Sequence, residues 1–417
     1  MANIFKNSEI KRKVSFTLFV IALFRFLAHI PVPGVNLEIL KSFLNQSQLL
    51  GLFDIFSGGA LRNFSIVTLG VGPYINAQIV FQLLTMVIPS LEELSKEGEY
   101  GREKLNMYTK LATVPLALLQ GYGMYFLLNN SGILTFTDPL SIVLLLLTLL
   151  GGTMLLTWIG DLVTEHGLGN GISILIFVGI ISQLPSTILN FALGFTSAPV
   201  VSLLFVVLSL FIVLGVVLVN EGTRNIGIEY GRRGTTSSKV TNFLPIKVNQ
   251  AGVIPIIFAV SLVSVPTLVS GPLQASGNVL LTAIGDFLFL YLHQESILYN
   301  LLYFALVFGF TFFYTFIQFD PEKIADDVKK RGGFIPGIRP GKATERHLKG
   351  VIVRLTFWGA LFLGLIAILP YIMSSTLGLS DLSVGGTSLL IVVSVVLETV
   401  RQLDSLKTSR DYSSYLK

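Results

Sequence analysis

A chain of 417 residues that is 52% hydrophobic and only 13% charged, with mean hydropathy +0.74 and formal net charge +5, is not an ordinary soluble domain, where about a quarter of residues are charged. It reads as a polytopic membrane protein. The absence of cysteine excludes disulfide frameworks, thiolate metal sites and cysteine nucleophiles, and the four histidines (His29, His166, His293 and His347) are too scattered for a metal motif.

In chain order, the first 34 residues carry a basic flank followed by an apolar run. They resemble a signal peptide, but the run is long and no small-x-small cleavage site follows, so the expectation is a retained first span. Arg25 lies within it, and a charge at that depth implies a partner in the bundle interior.

The next stretch, Gly51 to Pro89, organises the chain. Gly58, Gly59, Gly70 and Gly72 interrupt it, each lowering helix stability by about 1 kcal/mol, and Pro73 suits the first turn of a new helix. Two short helices are expected. One covers roughly Leu52 to Phe64, contains Asp54, Arg62 and Asn63, and is too short to cross about 30 Å of hydrocarbon. The other runs from Pro73 to Pro89 and only just could. Broken backbone at membrane depth is tolerated only where protein buries it or where it lines an aqueous cavity. The pattern therefore points to an aqueous path.

Apolar runs of spanning length fall at 14–33, 73–89, 105–128, 139–160, 171–190, 199–219, 251–270, 296–318, 351–374 and 384–400, which predicts ten spans. Leu280 to Leu292 is apolar but carries Asp286, and is expected as an interfacial helix outside the membrane. Lys and Arg concentrate before span 1, after spans 2, 6 and 8, and at the chain end, while the other side retains only Lys41 and Arg62. That asymmetry predicts cytoplasmic termini and cytoplasmic large loops at 220–250 and 319–350.

Span 2 opens G-V-G-P at 70–73, and its counterpart five spans later opens Q-A-G-V-I-P at 250–255. Paired Gly/Pro-interrupted segments suggest two inverted five-span halves, residues 1–190 and 191–417. Spans 2, 5 and 7 contain no carboxylate, which argues against ion coupling, and instead carry Ile75, Ile79, Ile176, Ile180, Ile254 and Ile257 at helical spacing. Such stripes commonly serve packing or lipid contact; converging from broken helices, they could form a constriction that blocks ions by dewetting without gripping a passing chain. Asp161 and Glu398, near span ends, read as interfacial. In the second large loop, G-I-R-P-G at 337–341 presents Arg339 at a turn, suited to docking a large cytoplasmic partner. No phosphate-binding G-x-x-x-x-G-K-[ST] motif occurs.

Seven motifs in order resemble the SecY/Sec61-alpha family, the channel subunit of the Sec protein translocase: F-S-G-G-A-L at 56–61, P-Y-I at 73–75, K-E-G-E-x-G-R at 96–102, G-N-G-I-S at 169–173, L-P-I-K-V-N-Q-A-G-V-I-P at 244–255, F-I-P-G-I-R-P-G at 334–341 and G-G-T-S-L-L-I-V-V at 385–393. The resemblance spans nearly the whole chain. It implies an all-α channel of ten helices in two inverted halves that open like a clamshell, sealed by a plug and an aliphatic pore ring. The plug would hold Leu52, Phe53, Ile55, Phe56, Leu61 and Phe64, and the ring Val71, Ile75, Ile176, Ile180, Ile257 and Ile391. A lateral gate would lie between spans 2 and 3 on one side and 7 and 8 on the other. Docking of the SecA ATPase or the ribosome would fall on Arg232, Arg233, Lys247, Gly337, Arg339, Pro340 and Gly341.

The same resemblance implies SecE and SecG as flanking subunits, secretory preproteins, signal peptides and membrane lipids as further partners, the bacterial cytoplasmic membrane as location, no cofactor, no direct nucleic-acid specificity and no catalysis. Val71 stands where Ile is common in the family, and the loop tip T-T-S-S-K-V-T-N-F at 235–243 differs from the family type. The rival class is a secondary transporter of a small solute, which an inverted repeat with broken helices would also suit.

Overall fold

The computed structural model describes residues 8–46, 54, 57–134, 138–197, 199–230, 242–274, 278–292, 296–377 and 385–415. They are mostly helical: α1 (Ser8–Leu27), α2 (Leu37–Gln46), α3 (Gly72–Val87), α4 (Pro89–Lys96), α5 (Glu99–Asn130), α6 (Pro139–His166), α7 (Gly171–Ser197), α8 (Pro199–Glu221), α9 (Ile254–Gln274), α10 (Val279–Tyr291), α11 (Ile297–Gln318), α12 (Pro321–Lys330), α13 (Lys342–Leu377) and α14 (Gly385–Tyr415). The starts follow local chemistry. Pro73, Pro89, Pro139 and Pro321 occupy first-turn positions, where the missing N–H costs nothing. Asp320 caps α12 by accepting from the N–H groups of Glu322 and Lys323, and Asn278 caps α10 by accepting from Leu280 N–H.

Among the described residues, four helices are long and apolar enough to cross a membrane by themselves, and α3 with α4, bent by 102° at Ile88, would make a fifth. α10 has 13 residues, about 20 Å of helix, and falls short.

Contacts divide the chain into two units, Met1–Leu204 with Ser261–Tyr299 and Val395–Lys417, and Phe205–Val260 with Asn300–Ser394. In the first, Val32, Leu40, Leu61, Phe64, Met124, Leu128, Ile133, Leu145 and Leu149 form one buried cluster. It joins α2, α5 and α6 to the non-helical segment after Ser57. Lys110 on α5 pairs with Asp161 on α6 at 2.5 Å, which gives Asp161 a structural partner. The second unit holds a three-stranded sheet in the order β2-β1-β3, made of β1 (Thr223–Tyr230), β2 (Asn242–Lys247) and β3 (Gly333–Phe334).

The sheet is a departure from the two expected large loops. β1 pairs antiparallel with β2 from Thr223↔Lys247 to Ile228↔Asn242, and with β3 at Glu229↔Phe334 and Tyr230↔Gly333. Ile226 and Ile246 from the sheet bury against Phe319, Ala325, Ile335, Leu348 and Ile352, so the two segments form one packed body.

The other departure lies at 52–64. Asp54 is helical, but Ser57 to Phe64 form no regular helix, because Gly58 and Gly59 adopt φ of 75° and 78°, a conformation that ends a helix. α6 approaches the continuation of this segment so closely that a Cβ on Gly152 would lie 1.8 Å from the Ile66 carbonyl oxygen. We expect Gly152→Ala to lower stability by about 1–3 kcal/mol through forced backbone displacement, measured as a reduced unfolding midpoint of the purified chain in detergent; an unchanged midpoint would refute the close approach.

Candidate functional site

The segment from Ser57 to Val71, with Asp54 just before it, holds the irregular backbone in the stretch that the sequence singles out. Its seat is built from α1 and α7. A Cβ on Gly58 would stand 2.2 Å from the Phe24 ring of α1 and 3.5 Å from the Gly179 Cα of α7, and one on Gly59 would stand 3.3 Å from Ser182 Oγ. Two adjacent glycines thus serve twice, through positive φ and through absence of a side chain.

Arg25 of α1 donates from Nη1 to the Gly58 carbonyl at 2.8 Å, so this charge within an otherwise apolar stretch of helix has a partner in the packed interior. Asp54, with a side chain only 2% exposed, pairs with Arg62 Nε at 3.0 Å, accepts from Arg62 N–H at 3.2 Å and accepts from Gln183 Nε2 of α7 at 2.9 Å. Burial pushes the Asp54 carboxyl above the usual carboxylate range, opposed by the Arg62 charge and the hydrogen bonds. Ser57 Oγ donates to the Asp54 carbonyl and accepts from Leu61 N–H. Downstream, Val32 N–H donates to Phe64 carbonyl oxygen at 2.8 Å, and Ile66 N–H to that of Ile30 at 3.1 Å. Leu61 and Phe64 are fully buried. The other four plug candidates, Leu52, Phe53, Ile55 and Phe56, lie outside the described residues.

All six ring candidates are buried: Val71 1%, Ile75 2%, Ile176 1%, Ile180 5%, Ile257 7% and Ile391 3%. Val71 is the N-cap of α3 and Ile75 lies in its first turn, while Ile176 and Ile180 lie one turn apart on α7. These four belong to the first unit, and Ile257 and Ile391 to the second.

Of the docking candidates, Arg232 and Arg233 lie outside the described residues. Lys247 ends β2 opposite Thr223. Gly337, Arg339 and Pro340 are exposed on the connection from β3 to α13, with Gly337 at φ 78° and Gly341 at φ 97°. This connection is held at both ends. Ile335 is in the buried cluster and Ile338 packs on it, Ile338 N–H donates to the Ile335 carbonyl, and Thr344 Oγ1 donates to the Arg339 carbonyl at 3.0 Å. The guanidinium is therefore offered from fixed backbone.

Sequence reasoning missed Gln183, an uncharged residue on a largely apolar helix whose role depends on a contact 129 positions away. It also missed the buried amide pair of the second unit. There Asn249 Nδ2 donates to Asn220 Oδ1 at 2.8 Å, and Asn220 Nδ2 to Ser394 Oγ at 2.8 Å, while Asn249 Oδ1 accepts from Gly252 N–H, fixing the turn before α9.

We expect Thr344→Val to speed amide hydrogen exchange across 337–345 severalfold, the effect of losing about 1 kcal/mol of local hydrogen bonding, with little change in the unfolding midpoint. Unchanged exchange would show that the loop is held without that bond.

The profile of the SecY family matches residues 65–400. A SecY protein translocase subunit of Bacillus licheniformis is 41% identical, with the alignment covering 100% of this chain and 99% of that one. That of Corynebacterium glutamicum is 42% identical over 99% of this chain and 98% of its own. Among solved structures, a protein-conducting channel matches with a TM-score of 0.65 at 19% identity, covering 97% of this chain and 94% of that one. Sec61 in a canine ribosome-channel complex matches at 0.61 and 19% over the same shares. The fold is shared with these channels, and by its full-length similarity to translocase subunits the chain belongs to the SecY family.

Proposed function

We propose that this chain is the protein-conducting subunit of a translocase, passing unfolded secretory polypeptides across the cytoplasmic membrane and releasing apolar segments sideways into lipid. The observation that carries this is identity near 41% with curated translocase subunits from end to end. The family is one of channel subunits, not of enzymes. No observation favours a small-solute transporter, and α3, α7 and α9 contain no Asp, Glu, Lys or Arg to bind a coupling ion or a charged solute.

The finer reading has ten spans, α1, α3, α5, α6, α7, α8, α9, α11, α13 and α14, supported by a helix at every apolar run of spanning length. They would form inverted halves at 1–190 and 191–417, with both termini cytoplasmic by the distribution of Lys and Arg. Residues 52–64 are the plug, supported by the clasp of Gly58 and Gly59 between α1 and α7 and by similarity to a solved SecY in which a plug domain stabilises the closed channel. Val71, Ile75, Ile176, Ile180, Ile257 and Ile391 line the constriction.

The sheet body with the 337–341 loop is the docking face for the SecA motor or the ribosome. This agrees with the ribosome-bound states of Sec61 and of the yeast Ssh1 complex, which this fold resembles. SecE and SecG complete the complex.

A translocation assay with purified complex in vesicles tests this. Arg339→Glu should abolish motor-driven transport of a secretory precursor, while shifting stability by no more than about 0.5 kcal/mol. Arg339→Lys should be intermediate, keeping charge but losing the planar fork. Transport of Arg339→Glu at the unmutated rate would refute the docking role.

Separately, Ile180→Asn or Ile391→Asn should hydrate the constriction and raise secretion of a reporter with a defective signal sequence. If secretion stays flat for both, the ring assignment fails.

A further inference from the structure

We infer that Asp54 and Gln183 form a releasable latch: Asp54 and Arg62 keep their ion pair within the segment that ends at Phe64, and the bond from Gln183 to the Asp54 carboxylate fastens it to α7. The inference rests on the reading of this segment as the plug and names the residues that regulate it.

A carboxylate 2% exposed is not needed to fill space, and an unpaired charge at such a site is strongly unfavourable. Its partners therefore carry the meaning. Arg62, within the same turn-rich segment, supplies two contacts: the guanidinium at 3.0 Å and the backbone N–H at 3.2 Å. The Arg62 side chain is 49% exposed, so it can travel with the segment at little desolvation cost. Ser57 and Gly59 tie the Asp54 carbonyl into the same knot. Among the described residues, the hydrogen bond that reaches the carboxylate from outside the segment is that from Gln183, at 2.9 Å.

On the opposite wall Arg25 holds the Gly58 carbonyl at 2.8 Å. Displacement keeps the Asp54–Arg62 ion pair together, while it breaks the amide bond from Gln183 and releases Arg25 from the Gly58 carbonyl.

The chain has no cysteine, so Ser57→Cys, at a position 1% exposed, supplies a single thiol that reports unseating. Labelling by a water-soluble maleimide is measured on the full chain in lipid vesicles. Gln183→Leu should raise the rate about tenfold or more, as expected for loss of a hydrogen bond to a charged group. Gln183→Glu should raise it further by setting two carboxylates together. Asp54→Asn combined with Gln183→Glu should return it toward the starting rate, because an amide again faces a carboxylate with the direction of the bond reversed. That recovery separates a latch from general unfolding.

Unchanged labelling in both single Gln183 variants, or a double variant that labels as fast as Gln183→Glu, overturns the latch. Single-channel conductance, measured in parallel on these variants and on a deletion of 52–64, separates the two readings. Labelling that rises while conductance never changes, even on deletion, supports the latch and removes the plug. A leak on deletion with no response to Gln183 supports the plug and removes the latch.

Discussion

A peptide group buried without a partner costs several kcal/mol, and residues 57–71 run without regular helix in a protein whose described apolar runs are otherwise mostly helical. Every structural choice around them answers that constraint. The N–H groups of Gly59, Phe64, Ser65, Thr68 and Gly70 find carbonyls within the segment, at Asp54, Leu61, Ala60, Ser65 and Val67, and Ile66 finds Ile30. Those of Leu61, Arg62 and Val67 find side chains, Ser57 Oγ, Asp54 Oδ1 and Ser65 Oγ. Buried Ser57, Ser65 and Asp54 stand in for the helix ladder. Packing then closes over the same groups: Leu61 and Phe64 enter the cluster with α2, α5 and α6, and the Ile66 carbonyl lies where any side chain on Gly152 would have to go.

Such a segment can be held firmly without being welded. Backbone bonds inside it give it a shape of its own, whereas its direct bonds to α1 and α7 are few and point from side chains, Arg25 and Gln183. At α1 and α7, attachment thus falls to side chains that take no part in the segment's own backbone bonding. In an ordinary helix the same i to i−4 bonds would fix both, and no part could leave without unwinding. Irregular backbone, costly in lipid, is what separates the two properties.

Signals of local chemistry were legible in the sequence. Gly58, Gly59 and Pro73 announced the break and the new start, the apolar runs announced the helices, and Arg25 announced an interior partner. What failed to read were facts of pairing. Residues 223–230 have strand character only beside 242–247 and 333–334, the second of them about a hundred positions downstream, and no local pattern encodes that register. Likewise 52–64 could be read as helical because it is apolar and short; the structure differs from Ser57 onward because Gly58 and Gly59 take positive φ, with Phe24 and Gly179 standing where a Gly58 side chain would go, a packing that propensity does not contain. Gln183 carried no signal, since an amide on an apolar helix has many possible uses until its neighbour is known.

The sheet body applies the same separation of shape from attachment at its surface. Two connections that composition marks as flexible, rich in Gly and charge, are stiffened where they meet: β3 adds to β1, and Ile335 and Ile338 anchor the chain on either side of Gly337. Thr344 then holds the carbonyl of Arg339 while leaving its guanidinium exposed. An arginine on a mobile loop would lose side-chain and backbone freedom together on meeting a partner, each ordered residue costing about 1–2 kcal/mol. With the backbone already fixed, only the side chain remains to be ordered, and the planar donor fork can be spent on recognition. Glycines in this loop therefore act as turns that a rigid frame requires, Gly337 and Gly341 being at positive φ, and their abundance is no measure of mobility.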